Sequence, residues 1–255
     1  VIKIIASPRA AHQRTHAAAM AAGLVRHGLT AEVTHRALES GPDDTVICWG
    51  WREGQQHRAR GSQVLVMERG YIGDRFVWTS LAWNGLNNLG DFPSINDSGA
   101  RFLKHFPGAL QPWQPEGAYV LIAGQVPGDM SLRGTCLADW YAAKAAEYAA
   151  QGDPVRFRPH PLAHRREPVR LVPGAPILSG DLAVALAGAK LVVTFNSNLG
   201  VDALLAGKPT SVADSGGMAY GITEATREDW AHRLAWRQFT IDEIESGFAW
   251  EVANG

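Results

Sequence analysis

Short β-rich runs alternate with helical stretches along this chain, and they do so in two successive series. That doubled alternation narrows the fold more than any other feature, because strand, helix and strand in succession build a parallel sheet through crossover connections. In the first series Val1 to Ala6, Ala31 to Arg36, Thr45 to Gly50 and Gln63 to Met67 read as strands. An alanine-rich helix spans Arg9 to His27 and ends at Gly28, a residue suited to a left-handed cap, and Trp51 to Arg60 reads as a short helix. The second series has strands at Ala118 to Gln125, Val155 to Arg158, Leu191 to Asn196 and Thr210 to Ala213. Helices are expected at Gly134 to Gln151, Asp181 to Ala189 and Gly200 to Ala206, with two more in the tail at Thr223 to Phe239 and Ile241 to Val252.

Between the series, Tyr71 to Phe106 is rich in Gly, Asn and aromatic residues and has no clear period, so it is expected to be irregular, and such a stretch is usually disordered or functional. Pro107 to Glu116 reads as a linker. The expected organisation is an α/β chain of two Rossmann-like domains, residues 1–110 and 117–240, with parallel sheets facing across a cleft. Residues 241–255 are expected to form a helix crossing back to the first domain. Ligands of such sheets bind beyond the carboxyl ends of the strands.

Hydrophobic residues make up 46% of the chain, enough for two cores. No apolar run approaches the roughly 18 residues that span a bilayer, so no membrane insertion is expected. Cys48 and Cys136 form neither a disulfide framework nor a metal-type pair. With no basic segment leading an apolar core at the start, a cytoplasmic location is expected. The formal net charge of -1 argues against a protein that simply coats nucleic acid. Residues 1–105 carry 12 Lys and Arg against 9 Asp and Glu, a mild excess that suits an anionic acceptor only weakly.

Chemistry concentrates in the second series. Arg158-Pro159-His160-Pro161 closes a strand, where its loop should reach the ligand edge of the sheet. Further on, Thr194-Phe195-Asn196-Ser197-Asn198-Leu199-Gly200 is a strand end, a turn of small polar residues and a helix start, followed by Asp202-Ala203-Leu204-Leu205 and Gly207-Lys208-Pro209. Backbone N–H groups, hydroxyls and a helix N-terminus suit a phosphate; ordinary capping by Ser197 and Asn198 is an equal reading of the turn alone. Together the two elements resemble the donor half of GT-B glycosyltransferases, most closely the capsule-polysaccharide-biosynthesis group with its His-Pro motif. The resemblance covers about residues 118–255 and includes Gly124-Gln125-Val126-Pro127-Gly128-Asp129. It implies that His160 and Ser197 contact the donor phosphate with Asn196 and Asn198 beside them, and that Gln125 and Asp129 lie near the nucleotide or sugar. Arg158 and Asp202 complete the implied donor set; the family often has glutamate where Asp202 stands, one methylene longer.

No Asp-x-Asp occurs in the chain, and the nine histidines show no ligand spacing, so no metal or other cofactor is expected beyond a nucleotide-sugar cosubstrate. The first half should hold the acceptor and a carboxylate base. Met67-Glu68-Arg69-Gly70-Tyr71-Ile72-Gly73-Asp74-Arg75-Phe76 follows a strand, which makes Glu68 the leading base and Asp74 the second, with Asp91 a poor third. A salt bridge to Arg69 or Arg75 is the bland alternative for Glu68. Arg9, Arg69, Arg75, Trp78 and Trp83 are the expected acceptor contacts, the tryptophans as stacking platforms together with Trp49, Trp51 and Trp113. For any one tryptophan, core packing is the commoner use.

The run from Glu68 to Phe76 also resembles uncharacterised phage proteins, and the small size resembles compact phage-encoded glycosyltransferases that modify DNA bases. That likeness implies a UDP-sugar donor and a 5-hydroxymethylpyrimidine in DNA as the favoured acceptor, with host cytoplasm as the compartment. The capsule-type likeness implies a CMP-sugar and a saccharide acceptor instead. The leading expectation is a metal-independent, inverting glycosyltransferase. A non-hydrolysing sugar-nucleotide epimerase and a nucleotide-binding module are the readings from other classes.

Overall fold

The computed structural model describes every residue except 35–39, 167 and 169–170. The expected strand from Ala31 is therefore seen to Thr34, and its last two positions lie outside the described residues. The chain divides into two compact units, Val1–Lys104 with His232–Gly255, and His105–Ala231.

The first unit contains β1 (Ile2–Ile5), α1 (Ala11–Arg26), β2 (Ala31–Thr34), β3 (Thr45–Trp49), α2 (Trp51–Arg58), β4 (Gln63–Arg69) and β5 (Thr79–Trp83). A short α3 (Ala100–His105) ends this stretch of chain. The second unit contains β6 (Tyr119–Ala123), α4 (Ala138–Ala150), β7 (Val155–Arg158), α5 (Leu182–Ala187), β8 (Ala189–Thr194), α6 (Leu199–Leu205) and β9 (Thr210–Val212). The boundary falls within α7 (Arg227–Ala235), after which β10 (Gln238–Phe239), α8 (Ile241–Glu245) and α9 (Phe248–Asn254) belong to the first unit.

The first sheet has the order β10-β5-β4-β3-β1-β2. Its four strands from β2 to β4 are parallel, and β5 and β10 are antiparallel additions. The inner parallel strands β1, β3 and β4 bury apolar residues on both faces, as strands covered on both sides must, whereas β2 at the sheet edge is largely exposed. Ile4, Ile47, Leu65 and Met67 meet Met20 and Leu24 of α1, together with Phe239 and Ile244. Their neighbours Ile5, Val46, Cys48, Val64 and Val66 face the other way, against Trp51 of α2. Each such buried side chain contributes about 1.5–3 kcal/mol. Close approach of α1 to α8 depends on Gly23, where a Cβ would lie 2.2 Å from the Ile244 carbonyl oxygen.

The second sheet, β7-β6-β8-β9, is wholly parallel. Val120, Ile122 and Val193 pack with Ala145 of α4 and Phe157, while Leu121 and Val192 pack with Leu186 of α5 and Ala203 of α6. Both sheets fit the α/β expectation.

The stretch from Tyr71 to Phe106 is less irregular than its composition suggests. It contains β5, a 3₁₀ turn at Asn87–Leu89 and α3. The expected platform Trp78 is 7% exposed and buried in the first unit. Trp83 packs edge-on against Trp250 at 6.0 Å and donates its indole N–H to the Ala253 carbonyl. Trp78 is thus packed inside the first unit, while Trp83 is half-buried and ties β5 to the chain's tail.

The proline-rich segment is likewise no loose tether. Gln111 and Gln114 donate backbone N–H groups to the carbonyls of Leu205 and Gly207. Arg227 lies over the Trp113 ring at 5.2 Å and bonds the Gln111 and Leu204 carbonyls. At Gly207, with φ of +79°, a Cβ would fall 2.0 Å from the Pro112 carbonyl oxygen. Lys208 is buried and spent on the carbonyls of Glu116 and Ala187. The Gly-Lys-Pro part of the motif therefore serves architecture.

Candidate functional site

Because β6, β7, β8 and β9 run parallel, their carboxyl ends share one edge of the second sheet, and the singled-out residues of the second half lie along it. The ends of β6 and β7 come close at Gly124, where a Cβ would be 3.0 Å from the Pro159 Cα. Gly124 also donates its N–H to the Arg158 carbonyl at 2.8 Å.

Asn196 is the hub of this edge. It is buried, and its Nδ2 donates to the Ser131 carbonyl at 2.8 Å and to Asp214 Oδ2 at 2.7 Å. Its Oδ1 accepts from Gln125 Nε2 at 2.6 Å, and its backbone N–H donates to Gln125 Oε1 at 3.0 Å. The Gln125 backbone N–H donates to the Tyr141 hydroxyl at 2.9 Å. Loops from three strands are thus tied by one fully occupied amide. Asp214 is held in turn by Arg133.

Beside this network lies a cavity of about 330 Å³. Gln125 and His160 are its polar anchors, and Leu132, Leu137, Tyr141, Phe157 and Leu171 form much of its apolar wall. That is the usual make-up of a small-molecule site: an apolar enclosure with a few polar groups that fix orientation. His160 is half-buried, and its Nδ1 accepts the Leu162 backbone N–H at 3.0 Å. A neutral ring then carries its proton on Nε2, where it can donate to an anion.

The other expected donor residues sit around the cavity without lining it. Asp129 is exposed and caps a 3₁₀ turn, accepting from the Ser131 N–H at 2.9 Å and from its hydroxyl at 2.7 Å. Arg158 donates through Nη2 to the Gly180 carbonyl at 2.7 Å, while its buried Nη1 has no hydrogen-bond partner among the described residues. Ser197 accepts the Leu199 N–H at 3.2 Å and donates its own N–H to Thr194 Oγ1 at 3.1 Å, so it shapes the turn into α6. Asn198 is the N-cap residue of that helix, and Asp202 is half-buried in its first turn. Sequence reasoning missed Tyr141, Ser131 and Asp214, which complete the network. Tyr141 is one aromatic within an alanine-rich helix, and neither of the others stands in a distinctive pattern.

At the carboxyl ends of β1, β3 and β4 the first unit holds a second cluster. Arg69 places its guanidinium 5.3 Å over the Trp49 ring and 4.5 Å over the Phe76 ring. His12 and His16, one turn apart on α1, both stand edge-on to Trp49, at 4.8 and 4.9 Å. His16 is buried and engaged at both nitrogens, with the His12 carbonyl at 2.6 Å and with Thr79 Oγ1 at 2.8 Å. Neither histidine was singled out in the sequence, where an alanine-rich helix gives them no context.

Glu68 is half-buried, and its Oε2 accepts the Arg69 backbone N–H at 3.2 Å. Asp74 is exposed and closes a turn, accepting the Phe76 N–H at 2.8 Å. Arg75 is exposed and reaches the Gly70 carbonyl at 3.3 Å. Arg9 is exposed in the turn after β1, its N–H 3.3 Å from Ser7 Oγ.

Burial lowers the pKa of both histidines from the ordinary 6.5. Arg69 acts in the same direction on each, and His16 adds to the effect on His12. The folded chain therefore resists protons that the unfolded chain accepts. The resulting stability is present above 6.5 and is lost as pH falls through the lower folded values. Urea midpoints measured from pH 7.5 down to pH 5 should fall for the first unit, and His16→Gln should flatten that dependence. A midpoint that holds constant over this range would contradict the lowered values.

Among the described residues no group of three or more His, Cys, Asp or Glu could hold a metal, and no helix is long and apolar enough to cross a membrane.

No protein-family model and no curated protein matches the sequence. Solved structures do share its architecture. The beta Kdo 2,7 transferase of Thermosulfurimonas dismutans KpsC is similar with a TM-score of 0.60, over 97% of this chain and 98% of that one, at 14% identity. The beta Kdo 2,4 transferase of the same protein is similar with a TM-score of 0.55, over 82% of this chain and 78% of that one, at 16% identity. At such identities the likeness establishes the fold, an α/β chain with two parallel-rich sheets.

Proposed function

We propose that this chain transfers a sugar from a nucleotide donor to a hydroxyl of a saccharide acceptor, with the cavity of the second unit receiving the nucleotide. The observation that carries this reading is the cavity itself, at the carboxyl ends of β6 and β7 and anchored by Gln125 and His160. Its apolar wall suits a nucleoside, and the Nε2–H of His160 suits the adjoining phosphate. As the bond from the anomeric carbon to the phosphate oxygen breaks, negative charge grows on the leaving phosphate. A preorganised donor there stabilises that charge more than it stabilises the ground state.

The fold likeness to two Kdo transferases supports the saccharide acceptor over the hydroxymethylated DNA base favoured from sequence. It also moves the preferred donor from a UDP-sugar to the CMP-sugar class that the His-Pro resemblance implies, with Kdo as the first sugar to offer. Gln125 and Asn196 act as the frame of the nucleotide subsite in this reading, and Ser197 and Asn198 set the turn beside the phosphate.

The test is a transfer assay with CMP-Kdo and UDP-glucose as donors. Oligosaccharides and 5-hydroxymethylcytosine DNA serve as acceptors, mass spectrometry reads the product and NMR reads its anomeric form. The expected result is addition to the saccharide, with kcat/KM lowered about 10²–10³-fold in His160→Ala. Addition only to DNA would overturn the acceptor assignment. Donor turnover to an epimer without acceptor, or nucleotide binding with no transfer at all, would overturn glycosyl transfer.

A further inference from the structure

Arg158 is the last residue of β7, and it lies wholly within the second unit. Its neighbour Phe157 lines the cavity and packs with Ala145 of α4, so the alternation of a strand turns Arg158 to the other face of the sheet. There its register partner on β6 is Ala123, and Thr194 of β8 partners Ala123 in turn, which sets the three side chains on one face. The small Ala123 puts no large side chain between the other two. Helix α6 covers this face, since a Cβ at Gly200 would lie 3.4 Å from Thr194 Cγ2. Thr194 Oγ1 accepts the Ser197 N–H at 3.1 Å and so holds the turn into that helix. One carboxyl edge therefore carries His160 in the cavity on one face and Arg158 on the other.

The Arg158 guanidinium is only partly engaged. Its Nη2 donates to the Gly180 carbonyl at 2.7 Å, which fixes the fork, whereas Nη1 is buried with no hydrogen-bond partner among the described residues. Asp181, next in sequence to that carbonyl, is taken up by the N–H groups of Ala183 and Val184. A buried donor on a permanent cation is unfavourable without an acceptor, more so than a neutral donor. The side chain as a whole is half-buried, so the fork can be approached from the sheet edge. Gly180 leaves room there, because a Cβ on it would meet no atom within 4 Å. The group that best completes such a fork is a planar anion, whose two oxygens match the guanidinium N–H groups; a neutral sugar hydroxyl offsets the buried charge less well.

We infer that Arg158 binds a carboxylate of the transferred sugar and so selects donors of acidic sugars over neutral ones. The inference rests on the nucleotide subsite proposed above. His160, just beyond Pro159, meets the phosphate, and the sugar attached to that phosphate extends across the edge to the face that Arg158 occupies. Arg158 is then a specificity residue for the sugar and not a part of the nucleotide subsite.

The test uses the full chain, with Arg158→Met and Arg158→Lys as variants. CMP-Kdo supplies an acidic sugar, and CMP supplies the same nucleotide without it. Calorimetry reads CMP affinity, initial rates with an oligosaccharide acceptor read KM and kcat for CMP-Kdo, and urea midpoints read folding. Arg158→Met should raise KM for CMP-Kdo about 10–100-fold, with CMP affinity within about twofold of wild type. Arg158→Lys keeps the charge but loses the fork, so its KM should fall between the two. If Arg158→Met does not fold, the same comparison in Arg158→Lys decides. An unchanged KM, or an equal weakening of CMP and CMP-Kdo, would overturn the inference and leave the nucleotide subsite standing. A wild-type chain that transfers glucose from UDP-glucose with a higher kcat/KM than Kdo from CMP-Kdo would also overturn it. A wild-type chain that transfers nothing overturns the glycosyl-transfer reading and the inference together.

Discussion

Replacing Arg101 with alanine is expected to lower the stability of the first unit by about 3–5 kcal/mol. The side chain is 6% exposed and forms a two-pronged ion pair with Glu243, at 2.7 and 2.8 Å. It also donates to the carbonyls of Ala235 at 2.9 Å and Gln238 at 3.0 Å. Trp78, Trp236, Phe239 and Phe248 surround the guanidinium at 4.9 to 5.8 Å. Removing it strands a largely buried carboxylate and two carbonyls, and a buried charge without its partner costs far more than the pair contributes. Glu243 also caps α8, accepting the Thr240 N–H at 2.9 Å, so its displacement would loosen that helix as well. The paired change Arg101→Met with Glu243→Gln should cost less than Arg101→Ala, since no lone charge remains. Urea unfolding followed by tryptophan fluorescence reads both variants. A loss under about 1 kcal/mol for Arg101→Ala would place the interaction among ordinary surface pairs.

The second large effect is expected from Asn196→Asp, a change of almost no volume. The new carboxylate cannot donate to the Ser131 carbonyl, and it meets Asp214 where the amide now stands 2.7 Å away. Two like charges at that separation in a buried site force one to hold a proton, which raises the pKa of the pair. A raised folded-state pKa stabilises below the unfolded value and is lost as pH rises, so the damage should be greater at pH 7 than at pH 5. A loss on the order of 3 kcal/mol at pH 7 is expected in the second unit, with nucleotide affinity at least tenfold weaker because the Gln125 side of the cavity loses its brace. Calorimetric titration with CMP and urea midpoints at the two pH values measure it. Equal midpoints at both would show that the two carboxylates do not meet.

Much of the architecture is legible in the residues. The runs Ile2–Ile5, Val46–Cys48 and Val64–Met67 are apolar on both faces, the mark of covered parallel strands, and all are strands. The break at Arg158-Pro159-His160 and the small polar residues after Thr194 announce strand ends, and both fall at the ligand edge of the second sheet. What escaped was fixed by distant partners. β5 is defined by pairing with β4 and β10, and its sequence TSLAW has no strict alternation to reveal it. β10 has only two residues and takes the place of the last turn of the helix read from Thr223 to Phe239. The aromatic residues of that region looked exposed because their stretch lacked a period; Trp78 is instead buried, and Trp83 packs against Trp250, 167 positions away. Within the candidate site, motif residues mark the loops well, but a motif does not separate a side chain that lines the cavity from one that braces it. Gln125 and His160 line it, whereas Asn196 and Ser197 hold the loops in place.

The division of the chain has a consequence for its synthesis. The second unit is a single stretch, His105–Ala231, and every strand of its sheet is synthesised before residues 232–255 are. The first unit is split, and its early segment waits with the Gly23 face of α1 uncovered and β5 without its outer neighbour. Only when Phe239, Ile244 and Trp250 arrive can that core close. Of the two units, the one whose first segment is made earlier is therefore the one that can close only later, and in the interval its apolar surface stays uncovered by its own partner residues.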